Sequence, residues 1–232
     1  RLLLRGSMDD INLIILQGDI FNASNKTIEA FSAYFKAVIQ DHNNVMALRK
    51  LYQTSKTETL SGKFIAELSA LVTKYPDLLL HRHLLADHLL EHKHFQEAKF
   101  QYLILLENNI PPIEKALALN NLATIYIQDG NFTTAIEKSK QALVLDPDMP
   151  AIIDTMGWAL VLSEELDLGL SYLRQAFILS STSPDIQYHI AYALAKHKRV
   201  DEAKEVLTKL MALPADFEEH QLAKNLLKTL TN

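Results

Sequence analysis

The sequence predicts an all-α fold, a solenoid of stacked helix–turn–helix units, on three observations. A 34-residue period runs through nearly the whole chain: residues 116–149, 150–183 and 184–217 align without a gap, and so do 11–44 and 45–78. Small residues return at two fixed slots in five of six periods. Turn-forming residues fall between those slots and again at the end of the unit. Units of this length cannot bury a hydrophobic face alone; they stack, and each one covers its neighbour.

The elements follow in order. Residues 1–8, RLLLRGSM, read as the remnant of an expression tag and are set aside. The first copy, 11–44, has Gly18 and Ala30 at the slots where its two helices cross, which suits an interaxial distance of ~8–10 Å. The second copy, 45–78, departs: Tyr52 and Phe64 stand there instead, with a polar run Thr54–Thr59 between the helices. Splayed helices, a longer loop and easier opening are expected in that copy. The third, 79–115, has Ala86 and Ala98 but is three residues over length, with Pro111-Pro112 in its connection to the next copy. A proline pair between helices stiffens the link and resets the stacking angle.

The fourth copy, 116–149, is the most regular. Leu119, Leu122, Ala123 and Tyr126 mark its first helix, Asp129-Gly130-Asn131 its turn, Ala135 and Ala142 its second helix, and Asp146-Pro147 the stop. The fifth, 150–183, carries Gly157 and Gly169, and the sixth, 184–217, Ala191 and Ala203. Residues 218–232 then read as a capping helix. Phe217, Leu222, Leu226, Leu227 and Leu230 form its apolar stripe, and Asp216 with Glu219 has the spacing of a capping box. Covering the last copy's exposed core is the structural reading of this helix; docking a partner is the alternative.

The period, the small slots and the turn chemistry together resemble the tetratricopeptide repeat (TPR) over residues 11–217. The resemblance implies a right-handed superhelix of six repeats that binds a protein or peptide on its concave face, lined by the first helix of each repeat. On that face it places Asn120 and Thr124 from the fourth copy, Asp154, Trp158 and Leu162 from the fifth, and Asp185, Tyr188, Tyr192 and Lys196 from the sixth. Asp19, Asn22, Gln53 and Asp87 make the amino-terminal half more polar. The Lys, Asn and Arg set with which chaperone-binding members grip a terminal carboxylate is absent, since those slots hold residues such as Leu84, Leu117 and Ala151. The run Leu119–Leu210, with Asp154-Thr-Met-Gly-Trp158 and Tyr188-His-Ile-Ala-Tyr192, is similar to bacterial envelope TPR proteins, the TPR lipoprotein of exosortase/PEP-CTERM exopolysaccharide systems among them. That likeness implies exopolysaccharide or envelope biogenesis, in the periplasm or at the outer membrane. Glu164-Glu165, where a glycine turn is usual, departs from it.

Composition narrows the function from the other side. An apolar share of 48% supports a continuous core. A net charge of −5 with interspersed lysines and acids argues against nucleic acid as a partner, which wants a concentrated basic patch. With no cysteine there is no disulfide framework and no thiolate metal site. Glycine-rich phosphate loops and serine elbows are missing, so no catalytic residue and no cofactor is assigned.

His88-Leu-Leu-Glu91-His92 matches the H-x-x-E-H pattern of inverted zinc peptidases. That chemistry needs a further ligand from another element and a different fold, and partial burial in a first helix accounts for the histidines. No metal site is assigned to them. The expected activity is therefore non-enzymatic: a scaffold for a protein or peptide. The alternatives are a polysaccharide-binding module with an aromatic groove, then a metal-dependent enzyme at His88, Glu91 and His92.

Overall fold

The computed structural model describes residues 2–213, 217 and 219–231, with side chains from Asp10 onward. Among them are thirteen α-helices and no strand. Two compact units divide the chain, Arg1–Leu105 and Leu106–Asn232. The first holds α1 (Leu2–Ala23), α2 (Thr27–Gln40), α3 (Val45–Ser55), α4 (Glu58–Lys74), α5 (Leu79–Glu91) and nearly all of α6 (Phe95–Leu106). The second holds α7 (Pro112–Gln128), α8 (Phe132–Leu145), α9 (Pro150–Leu162), α10 (Leu166–Leu179), α11 (Pro184–Lys196), α12 (Val200–Leu210) and α13 (His220–Thr231).

Within the second unit each helix packs on the next, and α9 also touches α7 and α11. That is the stacking a 34-residue period requires. Ala123, Ile127, Ala135 and Ala159 form one core cluster, and Ile153, Val161, Leu173, Ile190 and Ala203 belong to the next along the stack. Ala223 of α13 packs with Leu207, Leu210, Leu226 and Leu227, so this helix covers the apolar side of α11 and α12. Asp216, invoked above for a capping box, lies outside the described residues.

The turns inside the units obey one rule that side-chain identity hides. Asn25, Lys93, Gly130, Glu164 and Lys198, the fifteenth residue of their copies, all have φ between 56° and 72°. The residue after each donates its amide N–H five positions back, to Phe21, Leu89, Tyr126, Leu160 and Leu194, at 2.8–2.9 Å. These are left-handed helix ends of the Schellman type, which glycine adopts without cost and a side-chain-bearing residue only at ~1–2 kcal/mol. Glu164 thus makes the usual turn without the usual glycine.

Two expectations about the links need correction. Between α3 and α4 only Lys56 and Thr57 intervene, so the loop is short. The polar run is helix at both ends: Thr54 and Ser55 close α3, their hydroxyls donating to the carbonyls of Lys50 and Tyr52, and Glu58 and Thr59 open α4. Of the proline pair only Pro111 lies in the connection, as the N-cap that ends it, and Pro112 is already the first residue of α7. A proline there gives up no intrahelical hydrogen bond.

Candidate functional site

The second unit brings together aromatic and charged side chains from neighbouring first helices, α9 and α11. Trp158 is at the centre. Its ring stacks on His189 at 4.2 Å with 14° between planes, while Tyr192 meets it edge-on at 5.0 Å. Tyr188 lies 6.1 Å away. One helix-packing step of ~10 Å would separate Trp158 and Tyr192 if both pointed straight out. They lean towards each other instead, and their rings close the gap between the helices.

The predicted residues differ in exposure. Tyr188 is only 5% exposed and packs with Leu207, Leu210 and Ala223. Tyr192, Trp158, Asp154, Asp185 and Leu162 are half-buried, and Lys196 is exposed. Leu162 packs with Trp158, Tyr126 and Ile127. Asn120 is buried, with its Oδ1 lacking a hydrogen-bond partner, and its carbonyl accepts from the half-buried Thr124 hydroxyl at 3.2 Å. Lys196 donates to Glu164 at 3.3 Å and lies 5.8 Å from the centre of the Tyr192 ring. Of these nine side chains only Lys196 is exposed, and Tyr188 and Asn120 are buried.

Sequence reasoning missed the residue that organises this group. His189 faces the interior, and its Nδ1 donates to both carboxylate oxygens of Asp154, at 2.9 and 3.0 Å. Burial alone would push this imidazole down. The charge and hydrogen bond of Asp154, with Glu219 and Asp185 beyond, outweigh it and hold the pKa above the ordinary value. Asp185 faces Glu219, just ahead of α13, and burial together with that acidic neighbour pushes Glu219 up to about 7. The only advance signal was that His189 lies next to Tyr188, one period on from Thr155.

The polar residues of the first unit form a separate feature. Asp19, Asn22 and Gln53 line a cavity of about 300 Å³ with Tyr34, Lys50 and Thr54. Asp19 accepts from Tyr34 at 2.7 Å and from Lys50 at 2.6 Å, so its charge is matched within the unit. Asp87 accepts from the Tyr102 hydroxyl at 2.6 Å.

Residues 83–150 match the family model for the tetratricopeptide repeat. No curated protein matches the sequence. Among solved structures, the pilF protein of Pseudomonas aeruginosa is similar at 18% identity with a TM-score of 0.69, covering 95% of this chain and 99% of that one. PilW, described as a type IV pilus biogenesis factor, is similar at 15% identity and 0.70, covering 96% and 98%. The Cut9–Hcn1 complex of the APC/C contains a chain similar at 18% identity and 0.70; this protein covers 96% of itself but 43% of that chain. Among the described residues no helix is long and apolar enough to cross a membrane. Period, stacked helix pairs, recurrent left-handed turns and these likenesses together show the fold, that of a tetratricopeptide-repeat solenoid.

Proposed function

We propose that this protein is a non-enzymatic scaffold that binds a protein or peptide segment on the first-helix face of its second unit, in bacterial envelope or exopolysaccharide biogenesis. The observation that carries the reading is the cluster of Trp158, His189 and Tyr192 with Lys196 and Glu164 at its margin. Aromatic anchors held rigid by packing, with a charged rim, are the usual make-up of an interface hot spot. Asp154 and His189 lock the Trp158 ring, so little rotamer freedom is lost when a partner arrives. The likeness in fold to PilW, described as a type IV pilus biogenesis factor, supports an envelope setting, periplasmic or at the outer membrane.

A polysaccharide is the second reading, because sugars stack on open aromatic faces. Against it, one face of Trp158 is already covered by His189. A photo-crosslinking amino acid in place of Tyr192, in the bacterium of origin, tests both. A discrete crosslinked protein, abolished by Lys196→Glu or by Trp158→Ala in a folded variant, is the expected result. Absence of any protein adduct, together with saturable binding of a purified polysaccharide, overturns it in favour of the sugar. Tyr188→Ala is a poor probe, since its buried ring makes it a stability variant first.

A further inference from the structure

The histidine-rich stretch of α5 has chemistry that partner binding does not use. His88, Glu91 and His92 each offer a ligand atom, and the three atoms lie within 4.8 Å of one another. Spacings of three and four residues put them on one helical face. The two imidazoles stack at 4.2 Å with 30° between planes.

Each ring is oriented through one nitrogen, which is how metal-binding histidines are held. His92 Nδ1 lies 2.9 Å from the carbonyl oxygen of His88. A carbonyl only accepts, so the proton is on Nδ1 and Nε2 presents a lone pair. His88 Nε2 lies 2.9 Å from Ser61 Oγ, while its Nδ1 is buried without a hydrogen-bond partner. When Nε2–H donates to the serine, Nδ1 too presents a lone pair. A polar nitrogen buried with nothing to bond is costly, and a ligand to it removes the cost. Glu91 supplies the anionic oxygen. Its present partners are Lys56, at 3.0 Å in an exposed ion pair of the kind that contributes little, and the Tyr52 hydroxyl.

We propose that His88, Glu91 and His92 form a binding site for one divalent transition-metal ion of the zinc or nickel type. Two neutral imidazoles and a carboxylate suit ions of that softness better than calcium or magnesium, which prefer all-oxygen sites. Bonds of about 2.1 Å in a tetrahedral shell put ligand atoms roughly 3.4 Å apart. The exposed Glu91 and half-buried His92 side chains close the difference by rotating, while His88 stays wedged beside Phe64 with its ring 4.6 Å away. Water completes the shell. The ion would clamp the last turn of α5, where the chain leaves the helix at His92 and reverses through Lys93.

The test is equilibrium dialysis of the chelator-stripped full chain against Zn²⁺, with bound metal and melting temperature measured. The expected result is one ion per chain and a raised melting temperature. His92→Ala abolishes both effects, and Glu91→Gln weakens binding at least about tenfold, a loss of ~1.4 kcal/mol. His94→Ala, an exposed neighbour, binds like the parent. Failure to retain zinc overturns the proposal. So does undiminished binding in His92→Ala, which would mean an adventitious ion elsewhere among the nine histidines. Glu91 is exposed, so Glu91→Gln keeps the test decisive even where His92→Ala fails to fold.

Discussion

The helix pairs α3/α4 and α9/α10 occupy the same place in the repeat and solve its central packing problem in opposite ways. In α9/α10 the crossing slots are Gly157 and Gly169, and the backbones touch. A Cβ added to Gly157 would stand 3.0 Å from the Gly169 carbonyl oxygen, and one added to Gly169 2.8 Å from that of Gly157. In α3/α4 the same slots hold Tyr52 and Phe64, whose rings meet edge-to-face at 5.8 Å, with Phe64 wholly buried. One pair is held by close approach of main chains, the other by aromatic burial. The turns differ too: Glu164 takes the left-handed conformation, whereas α3/α4 alone among the six pairs has no left-handed residue at this slot and links its helices through Lys56 and Thr57. The repeat therefore constrains where two helices cross and leaves open what fills the crossing.

The two units also each bury a histidine, His81 in α5 and His189 in α11, with opposite electrostatic consequence. His81 of the first unit is held down at about 4 by burial and by the nearby His42, and neither ring nitrogen has a hydrogen-bond partner. His189 of the second unit is held up by Asp154. One is buried with no partner for either nitrogen, the other is bonded to a carboxylate that favours its protonated form.

The comparison can be broken at several points. The largest effect belongs to Phe64→Ala, which removes the ring that fills the α3/α4 crossing and should cost ~3–5 kcal/mol in urea denaturation. A loss below about 1 kcal/mol would mean the aromatic pair is incidental.

The histidines come next. The unfolded chain takes up a proton on His81 between pH 6.5 and about 4 that the folded chain refuses, so its contribution is lost as pH falls through that window, on the order of 3 kcal/mol. His189 has the opposite sign: its contribution is present below pH 6.5 and is lost as pH rises through its elevated pKa. Trp158, the single tryptophan, stacks on His189, so its fluorescence reports the second region directly. Denaturation at pH 5, 7 and 9, followed by that signal for His189→Phe and by far-ultraviolet circular dichroism for His81→Phe, each against the parent, checks both signs.

Gly169→Ala follows, because a methyl group pressed between two backbones cannot rotate away. It should destabilise by ~1–3 kcal/mol, measured by urea denaturation. If the variant melts like the parent, the α9/α10 crossing has room for a methyl group and close backbone approach is not what holds it. A gain is expected from Lys198→Gly, which relieves a left-handed side-chain-bearing turn: ~1 kcal/mol of added stability, visible as a higher urea midpoint.

How much of this was legible in advance differs from residue to residue. Six helix pairs could be read off because small residues, turns and stops recur at one spacing, and those are local requirements of close helix packing. The crossing slots 157 and 169 were legible for the same reason. Tyr188 and Tyr192 share a helix face, and nothing in their spacing tells that α12 and α13 bury the first and leave the second half-open. The pairing of Asp154 with His189 spans 35 residues and depends on where α11 settles against α9.

The sequence by itself determined the periodic architecture, since helix periodicity and turn chemistry act over a few residues and repeat without knowledge of the whole. Only the tertiary structure decided which histidine has its pKa lowered and which raised, which tyrosine is buried, and that Lys93, Glu164 and Lys198 turn as glycine would. Burial, long-range hydrogen bonds and forced backbone conformations are properties of the neighbours a residue acquires, and those neighbours exist only once the helices have stacked.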